Sequence, residues 1–171
     1  REPEYKKANV NEIVEATCNL MATKSAEKGV YVRWTANEEL NEVVLDPKGI
    51  RRCLLNLVSN AVDACEGREG GGLVDISSEV AAGSMFHIKI ADNGCGMAEE
   101  DREKLFQMFF STKGSKGTGL GLPVTHKIIS EHKGSIEVDS ELGQGTCFTI
   151  TLPLIRTIEA SVKAAGCEVQ V

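Results

Sequence analysis

The chain has no uncharged stretch able to cross a bilayer: its longest run without Asp, Glu, Lys or Arg is 142–155. That run holds glycines, threonines and Pro153, so it is both too short and too polar. Positive charge is in the minority, with 19 Lys and Arg against 25 Asp and Glu, a formal charge of -6 and a pI near 5.2. This balance argues against broad binding to nucleic-acid backbones. Histidine is scarce, at three residues, and the six cysteines (18, 53, 65, 95, 147 and 167) include no CxxC and no His at metal-ligand spacing. Several cysteines lie in apolar runs, as buried free thiols do, which predicts reduced, structural cysteines in a cytoplasmic domain. No internal repeat is present and no signal peptide opens the chain. Residue 1 is Arg, so the segment is expected to belong to something longer, whose membrane anchor, if it has one, lies elsewhere.

What is present is ordinary globular material: 171 residues, 42% hydrophobic and 26% charged. A chain of this length makes about one domain and buries roughly 70% of its unfolded surface, so it folds without staples. Apolar spacing around Ile13, Ala16, Leu20 and Met21 predicts a helix over residues 9–28, closed by Gly29. Short strands are expected at Val30–Trp34 and Glu42–Leu45. Asp46-Pro47 then reads as a capping carboxylate followed by a first-turn proline, starting a helix that runs to about Glu66. Strands follow at 73–80 and 85–91, a polar helix near Ala98–Lys104, and a helix at Leu120–His132 closed by Gly134. Strands 135–140 and 146–152 make a hairpin across the Gly143–Gly145 turn. The expected class is α+β, a two-layer sandwich in which about three helices cover one face of a mixed sheet. Residues 1–153 form this unit, and 154–171 are an extension with a short helix around Ile158, Val162 and Ala165.

Three segments carry candidate chemistry. On the helix after Pro47, Leu54, Leu57, Val58, Ala61 and Cys65 share one stripe, and Asn56, Asn60 and Asp63 share the opposite side. A solvated face would explain polar residues there, yet Asn is a poor helix former and two of them stand one turn apart. Next, Asp92-Asn93-Gly94-Cys95-Gly96-Met97 ends an apolar strand. It is either a plain strand-ending turn or a fixed carboxylate beside glycines that admit a flat ligand. Such a carboxylate accepts a hydrogen bond from an exocyclic amine like adenine's and repels guanine's carbonyl oxygen. Third, Lys113-Gly114-Ser115-Lys116-Gly117-Thr118-Gly119-Leu120-Gly121-Leu122 runs from a loop into a helix, whose first N–H groups form an anion site. It matches neither the Walker A nor the dinucleotide fingerprint. Six glycines in the 28 residues from Gly94 to Gly121, against 17 in 171, favour a ligand loop over simple flexibility.

Taken in order, the segments resemble the GHKL nucleotide-binding superfamily with its Bergerat fold, above all the ATP-binding catalytic domain of bacterial two-component sensor histidine kinases. Leu55-Asn56-Leu57-Val58-Ser59-Asn60-Ala61 is similar to the asparagine box and Asp92–Met97 to the first glycine box. Leu105–Lys113 is similar to the phenylalanine box, and Gly117–Leu122 and Gly143-Gln144-Gly145-Thr146 to later glycine boxes. The likeness spans roughly residues 5–153. It implies ATP and Mg²⁺ as ligands, with Asn60 and Asn56 holding the metal through side-chain oxygens. It further implies that Asp92 receives the adenine amine with Thr146 nearby, while Gly94 and Gly96 admit the ring. Asp63, Ala64 and Met97 would also contact nucleotide. Lys113 and the backbone of Gly117, Thr118, Gly119, Leu120, Gly121 and Leu122 would face the phosphates, and Phe109 or Phe110 would anchor a lid over 106–118. Asn56 and Lys113 are the implied catalytic positions. Asp63 departs from the basic or aromatic residue that many such kinases carry.

Three functions share this resemblance: phosphoryl donation to a histidine, ATP hydrolysis in a clamp, and a stand-alone switch like the anti-sigma-factor serine kinases. Hydrolytic relatives carry a Glu one turn before the metal-binding Asn as general base; here that residue is Asn56, which cannot take a proton. None of His87, His126 and His132 lies in a phosphoacceptor-like segment. His87 reads as a packing residue and His132 as a helix C-terminal residue facing the dipole. The resemblance thus implies, as partners, a dimerisation and histidine-phosphotransfer domain of the same protein and a downstream response regulator.

Overall fold

The computed structural model describes residues 1–110 and 121–164. Helix α1 spans Val10–Glu27 because Asn9 caps it, its side-chain oxygen accepting from the N–H groups of Asn11 (2.9 Å) and Glu12 (3.4 Å). It leads into β2 (Val30–Trp34), a 3-10 turn (Glu38–Leu40) and β3 (Val43–Leu45). β3 pairs antiparallel with an earlier three-residue strand, β1 (Lys6–Ala8), in a small second sheet. Helix α2 covers Pro47–Ala64, and β4 (Gly72–Ala81) and β5 (Met85–Asp92) form a hairpin. Then come α3 (Glu99–Phe110), α4 (Gly121–Glu131), the hairpin β6 (Ser135–Glu141) and β7 (Gly145–Pro153), and α5 (Ile158–Ala164).

The main sheet has the order β2-β4-β5-β7-β6. Only β2 and β4 run parallel; the other pairs are antiparallel, so the sheet is mixed as expected. Alternate residues point into one core: Val74 and Ile76, then Phe86, Ile88 and Ile90, then Phe148, Ile150 and Leu152. Against them lies the α2 stripe of Leu54, Leu57, Val58, Ala61 and Cys65, all buried. Each such side chain contributes about 1.5–3 kcal/mol by leaving water. The opposite face of the sheet carries ion pairs such as Arg33–Asp75 and Lys89–Glu79.

Two expectations change. Asp46 sits at the N-cap of α2 but its carboxylate caps nothing. Instead Arg1 donates to both of its oxygens, at 3.0 and 3.1 Å, leaving the Asp46 side chain only 4% exposed. Its backbone N–H donates to Nε2 of His132 (3.1 Å), while His132 Nδ1 meets the Ile128 carbonyl at 2.8 Å. A carbonyl only accepts and an amide N–H only donates, so the proton of His132 must sit on Nδ1. The ring of Tyr5 packs on that imidazole with centroids 5.3 Å apart. His132 is therefore a buried tie between α4 and the start of α2, more than a partner of the helix dipole.

The second change concerns the chain beyond Pro153, which stays bonded to the body. Leu154 N–H donates to the Ser84 carbonyl (2.7 Å), and the Ile155 carbonyl accepts from Val44 (2.8 Å). Arg156 donates to the carbonyls of Glu39 and Glu42 at 2.7 and 2.8 Å.

Candidate functional site

At the end of β5 the backbone must turn, and Asp92 makes the turn by accepting on Oδ1 from Gly94 N–H, 2.9 Å away. β7 runs alongside in register, so Thr146 lies opposite Asp92 and its N–H also donates to Oδ1, at 3.2 Å. Both bonds fall on one oxygen. Among the described residues, Oδ2 receives none, and Asp92 faces a cleft of about 180 Å³ lined mainly by apolar groups: Ala61, Ala64, Met97, Leu105, Leu122 and Phe148. Asn60, Cys95, Gly96 and Thr146 complete its wall. Burial raises the Asp92 carboxyl above its ordinary value, and the two N–H bonds only partly offset it. The cleft thus combines an apolar slot with one fixed, unshared acceptor, a combination suited to a flat heterocycle bearing an amine.

The glycines have a different task from the one expected. A Cβ on Gly94 would run into the backbone of Ala64, and one on Gly96 into the Glu141 carbonyl. Gly94 is buried and forms no part of the cleft wall, whereas Gly96 (φ +64°) does. Their missing side chains let the 93–97 loop press against protein, with Cys95 N–H donating to the Ala64 carbonyl (3.1 Å) and Cys95 O accepting from Gly143 N–H (2.7 Å). The close approach these glycines permit is of loop to helix and of loop to turn.

Helix α2 divides its polar residues between two neighbours. Asn56 turns to α4, its Nδ2 donating to Gly121 O (3.3 Å) and Thr125 Oγ1 (3.4 Å). Because Thr125 itself donates to Gly121 O (2.7 Å), the amide can only present nitrogen on that side. Among the described residues its Oδ1 receives no hydrogen bond. Asn60 lies one turn further along, in the cleft wall. Asp63, expected on the same side, is instead held toward α1, with Lys24 and Lys28 both 2.9 Å from Oδ1. Burial would raise its carboxyl, but the bonds from Lys28 and Lys24 and their charges outweigh that and lower it. Long lysines on α1 capture this carboxylate, so it is not part of the cleft.

Among the described residues, the structure therefore brings together Asn60, Ala64, Asp92, Gly96, Met97, Leu122 and Thr146. Asn56 and Gly121 meet each other at the start of α4, and a Cβ on Gly121 would strike Asn56. Lys113, Gly117, Thr118, Gly119 and Leu120 lie outside the described residues, as does the side chain of Phe109 on α3. Sequence reasoning missed Leu105 and Phe148 as wall residues, and it missed Ser140. Ser140 stands opposite Thr146 in the β6–β7 register, 2.8 Å from its hydroxyl. The expected hairpin already contained the signal, since counting back across the Gly143–Gly145 turn pairs the two residues.

Of the described cysteines, Cys18, Cys53, Cys65, Cys95 and Cys147 are free. Burial pushes the Cys53 thiol up to about 12, while Cys95 is exposed at the mouth of the cleft. Among the described residues, no helix is long and apolar enough to cross a membrane.

Known proteins are similar to this chain in sequence and fold. The family model described as histidine kinase-, DNA gyrase B-, and HSP90-like ATPase matches residues 45–156. The chain is 37% identical over 147 residues to the sensor histidine kinase ZraS of Salmonella typhimurium, covering 86% of this chain and 31% of ZraS. It is 36% identical over 154 residues to the signal transduction histidine-protein kinase AtoS of Escherichia coli, covering 90% and 25% respectively. It thus spans a third or less of the length of these curated relatives. Among solved structures, full-length ShkA in complex with AMPPNP superposes with a TM-score of 0.79 at 27% identity, over 92% of this chain and 32% of ShkA. A nucleotide-free catalytic domain of the histidine kinase ThkA gives 0.74 at 30% identity, over 89% and 99%.

Proposed function

Since the chain belongs to the family of histidine kinase-, DNA gyrase B- and HSP90-like ATPases, we propose that it is the ATP-binding catalytic domain of a sensor histidine kinase. In this reading it binds ATP with Mg²⁺ and donates the γ-phosphoryl group to a histidine on a dimerisation domain outside these residues, from which a response regulator takes it. The observation that carries the reading is Asp92, with one oxygen tied by two N–H groups and the other free to accept from the adenine amine. The AMPPNP held by ShkA and the kinase names of ZraS and AtoS support it.

The remaining roles follow from the chemistry of the residues. Ala61, Ala64, Met97, Leu105, Leu122 and Phe148 would enclose the ring and exclude water. Asn60 and Asn56 suit Mg²⁺, a hard ion that takes oxygen ligands, and the bonding of Asn56 Nδ2 to α4 leaves an oxygen as its only remaining ligand atom. Bound there, the ion would neutralise the phosphate charge. Lys113 and the amides of 117–121 would add donors at the phosphates. Asn56, one turn before Asn60, cannot act as a general base for water. Catalysis is then positioning and charge stabilisation, as phosphoryl transfer requires, with nucleophile and base supplied by the partner domain. Hydrolysis by this chain alone is slow.

The test is calorimetric titration of ATP and GTP, with and without Mg²⁺, on wild type and Asp92→Ala. Selective ATP binding that the substitution abolishes is expected, followed by labelling of an added dimerisation domain from γ-labelled ATP. Equal binding of the two nucleotides, or no binding, would overturn the reading.

A further inference from the structure

Ser140 lies outside every motif and outside the cleft wall. It lines a depression of about 220 Å³ on the far side of Thr146, which both hollows share with Asp92. Its hydroxyl is a junction: it accepts from Met97 N–H (2.9 Å), sits 2.8 Å from Thr146 Oγ1 and reaches Gly145 O at 3.2 Å. A serine hydroxyl has one proton and two lone pairs, and Met97 occupies one lone pair. Two arrangements remain. If the Ser140 proton goes to Gly145 O, the Thr146 proton points at Ser140, and Thr146 offers the cleft only lone pairs. If the Ser140 proton goes to Thr146, the Thr146 proton is released into the cleft and Thr146 becomes a donor there. The 2.8 Å contact to Thr146 is made in either arrangement, so the second gives up only the 3.2 Å bond to Gly145 O, long for an O–H donor, in exchange for a donor in the cleft.

Resting on the adenine reading of the cleft, we propose that Ser140 is a positioning residue that gives its proton to Thr146 and so makes Thr146 a donor to the base. Asp92 Oδ2 then accepts and Thr146 donates, side by side. That order complements an edge with an exocyclic amine next to an unprotonated ring nitrogen, met directly. Guanine presents the reverse order, a carbonyl oxygen next to a ring N–H, and is rejected twice. Ser140 touches no ligand; it acts through the Thr146 hydroxyl.

The decisive comparison is between ATP and 1-deaza-ATP, which keeps the amine but replaces the ring nitrogen by C–H. Dissociation constants are measured for wild type, Ser140→Ala, Ser140→Thr, Thr146→Val and the Ser140→Ala/Thr146→Val pair. Wild type should prefer ATP by about tenfold, the value of one hydrogen bond. In Ser140→Ala that preference should fall toward one, Ser140→Thr should restore it, and adding Ser140→Ala to Thr146→Val should leave the ratio where Thr146→Val put it. A merely structural Ser140, welding Met97 to the hairpin, would weaken both nucleotides alike and leave the ratio unchanged. That outcome, or a wild-type ratio near one, overturns the proposal. If Ser140→Ala does not fold, Ser140→Cys, whose thiol is a much weaker donor, should lower the ratio without bringing it to one, and an unchanged ratio there also overturns the proposal. Failure of the underlying reading looks different: wild type binds neither nucleotide, or Asp92→Ala binds ATP as well as wild type does.

Discussion

Replacing Asp92 by Asn separates what this carboxylate does for the ligand from what it does to the fold. The asparagine Oδ1 can keep both bonds, from Gly94 and Thr146, so the turn and the β5–β7 register stay in place. What changes is the second position, where an oxygen that accepts becomes an NH2 that donates. An adenine amine then meets a donor in place of an acceptor. A hydrogen bond to a charged group is lost and a buried donor is left unpaired, together about 3 kcal/mol, or roughly a hundredfold in ATP affinity. The apo protein should move the other way. Burial raises the Asp92 carboxyl above its ordinary 3.8, so the carboxylate form destabilises the fold. A raised carboxyl contributes stability below the unfolded value and loses it as pH rises through the folded one. Asp92→Asn should therefore melt above wild type at pH 7, with the gap narrowing as pH falls toward 3.8. Calorimetric titration with ATP and thermal melts of the apo protein between pH 3.5 and 7 read both effects. An ATP affinity within threefold of wild type, or an apo variant melting below wild type at pH 7, would refute the reasoning.

Other perturbations have equally definite outcomes. Asn56→Ala should weaken Mg-ATP by about tenfold, while Mg-free nucleotide is little changed, and backbone hydrogen exchange should quicken over the first turns of α4, which lose their tie to α2. Gly96→Ala must place a Cβ against the Glu141 carbonyl at a φ of +64°, and denaturant titration should show a loss of about 2–4 kcal/mol. Asp63→Asn should lower the melting temperature by only about 2–4 °C, because its lysine pairs are partly exposed, and leave the ATP affinity unchanged. Since this carboxyl is lowered, its contribution is present above 3.8 and fades as pH falls through the folded value, so variant and wild type should converge in acid. A thiol reagent at neutral pH should label Cys95 before Cys53, as peptide mapping would show, and ATP should slow labelling of Cys95.

The elements legible in the sequence are those whose signals are local. Val30–Trp34 is a strand at the expected bounds, and the stripe from Leu54 to Cys65 is buried along its whole length. β1 was not legible, because three residues with no apolar alternation become a strand only by pairing with β3. α3 runs to Phe110, well past the expected Lys104. Asp46 looked like a cap, but a bidentate arginine 45 residues away competes for the carboxylate, and nothing near position 46 announces it. Asp63 fails for a similar reason: helical spacing places it with Asn56 and Asn60, and lysines of another helix then decide its direction. At the cleft, the meeting of Asp92, Asn60 and Thr146 was legible because each stands in one of the motifs the sequence resembles. The reason for Gly94 and Gly96 was not, since the backbone they avoid belongs to Ala64 and Glu141.

Asp92 closes one strand and Thr146 opens its neighbour, and the two are direct register partners although 54 positions separate them. Everything between them, α3, α4 and β6 included, is one excursion whose ends are stapled together at one wall of the cleft. The entropy of closing such a loop grows only with the logarithm of its length, and a doubling costs about 0.6 kcal/mol. Residues can therefore be added to or removed from the excursion with little effect on the staple. Met97, Leu105 and Leu122 return from the excursion to the same cleft and Ser140 returns to Thr146, so changes of length should be tolerated between these anchors and not at them.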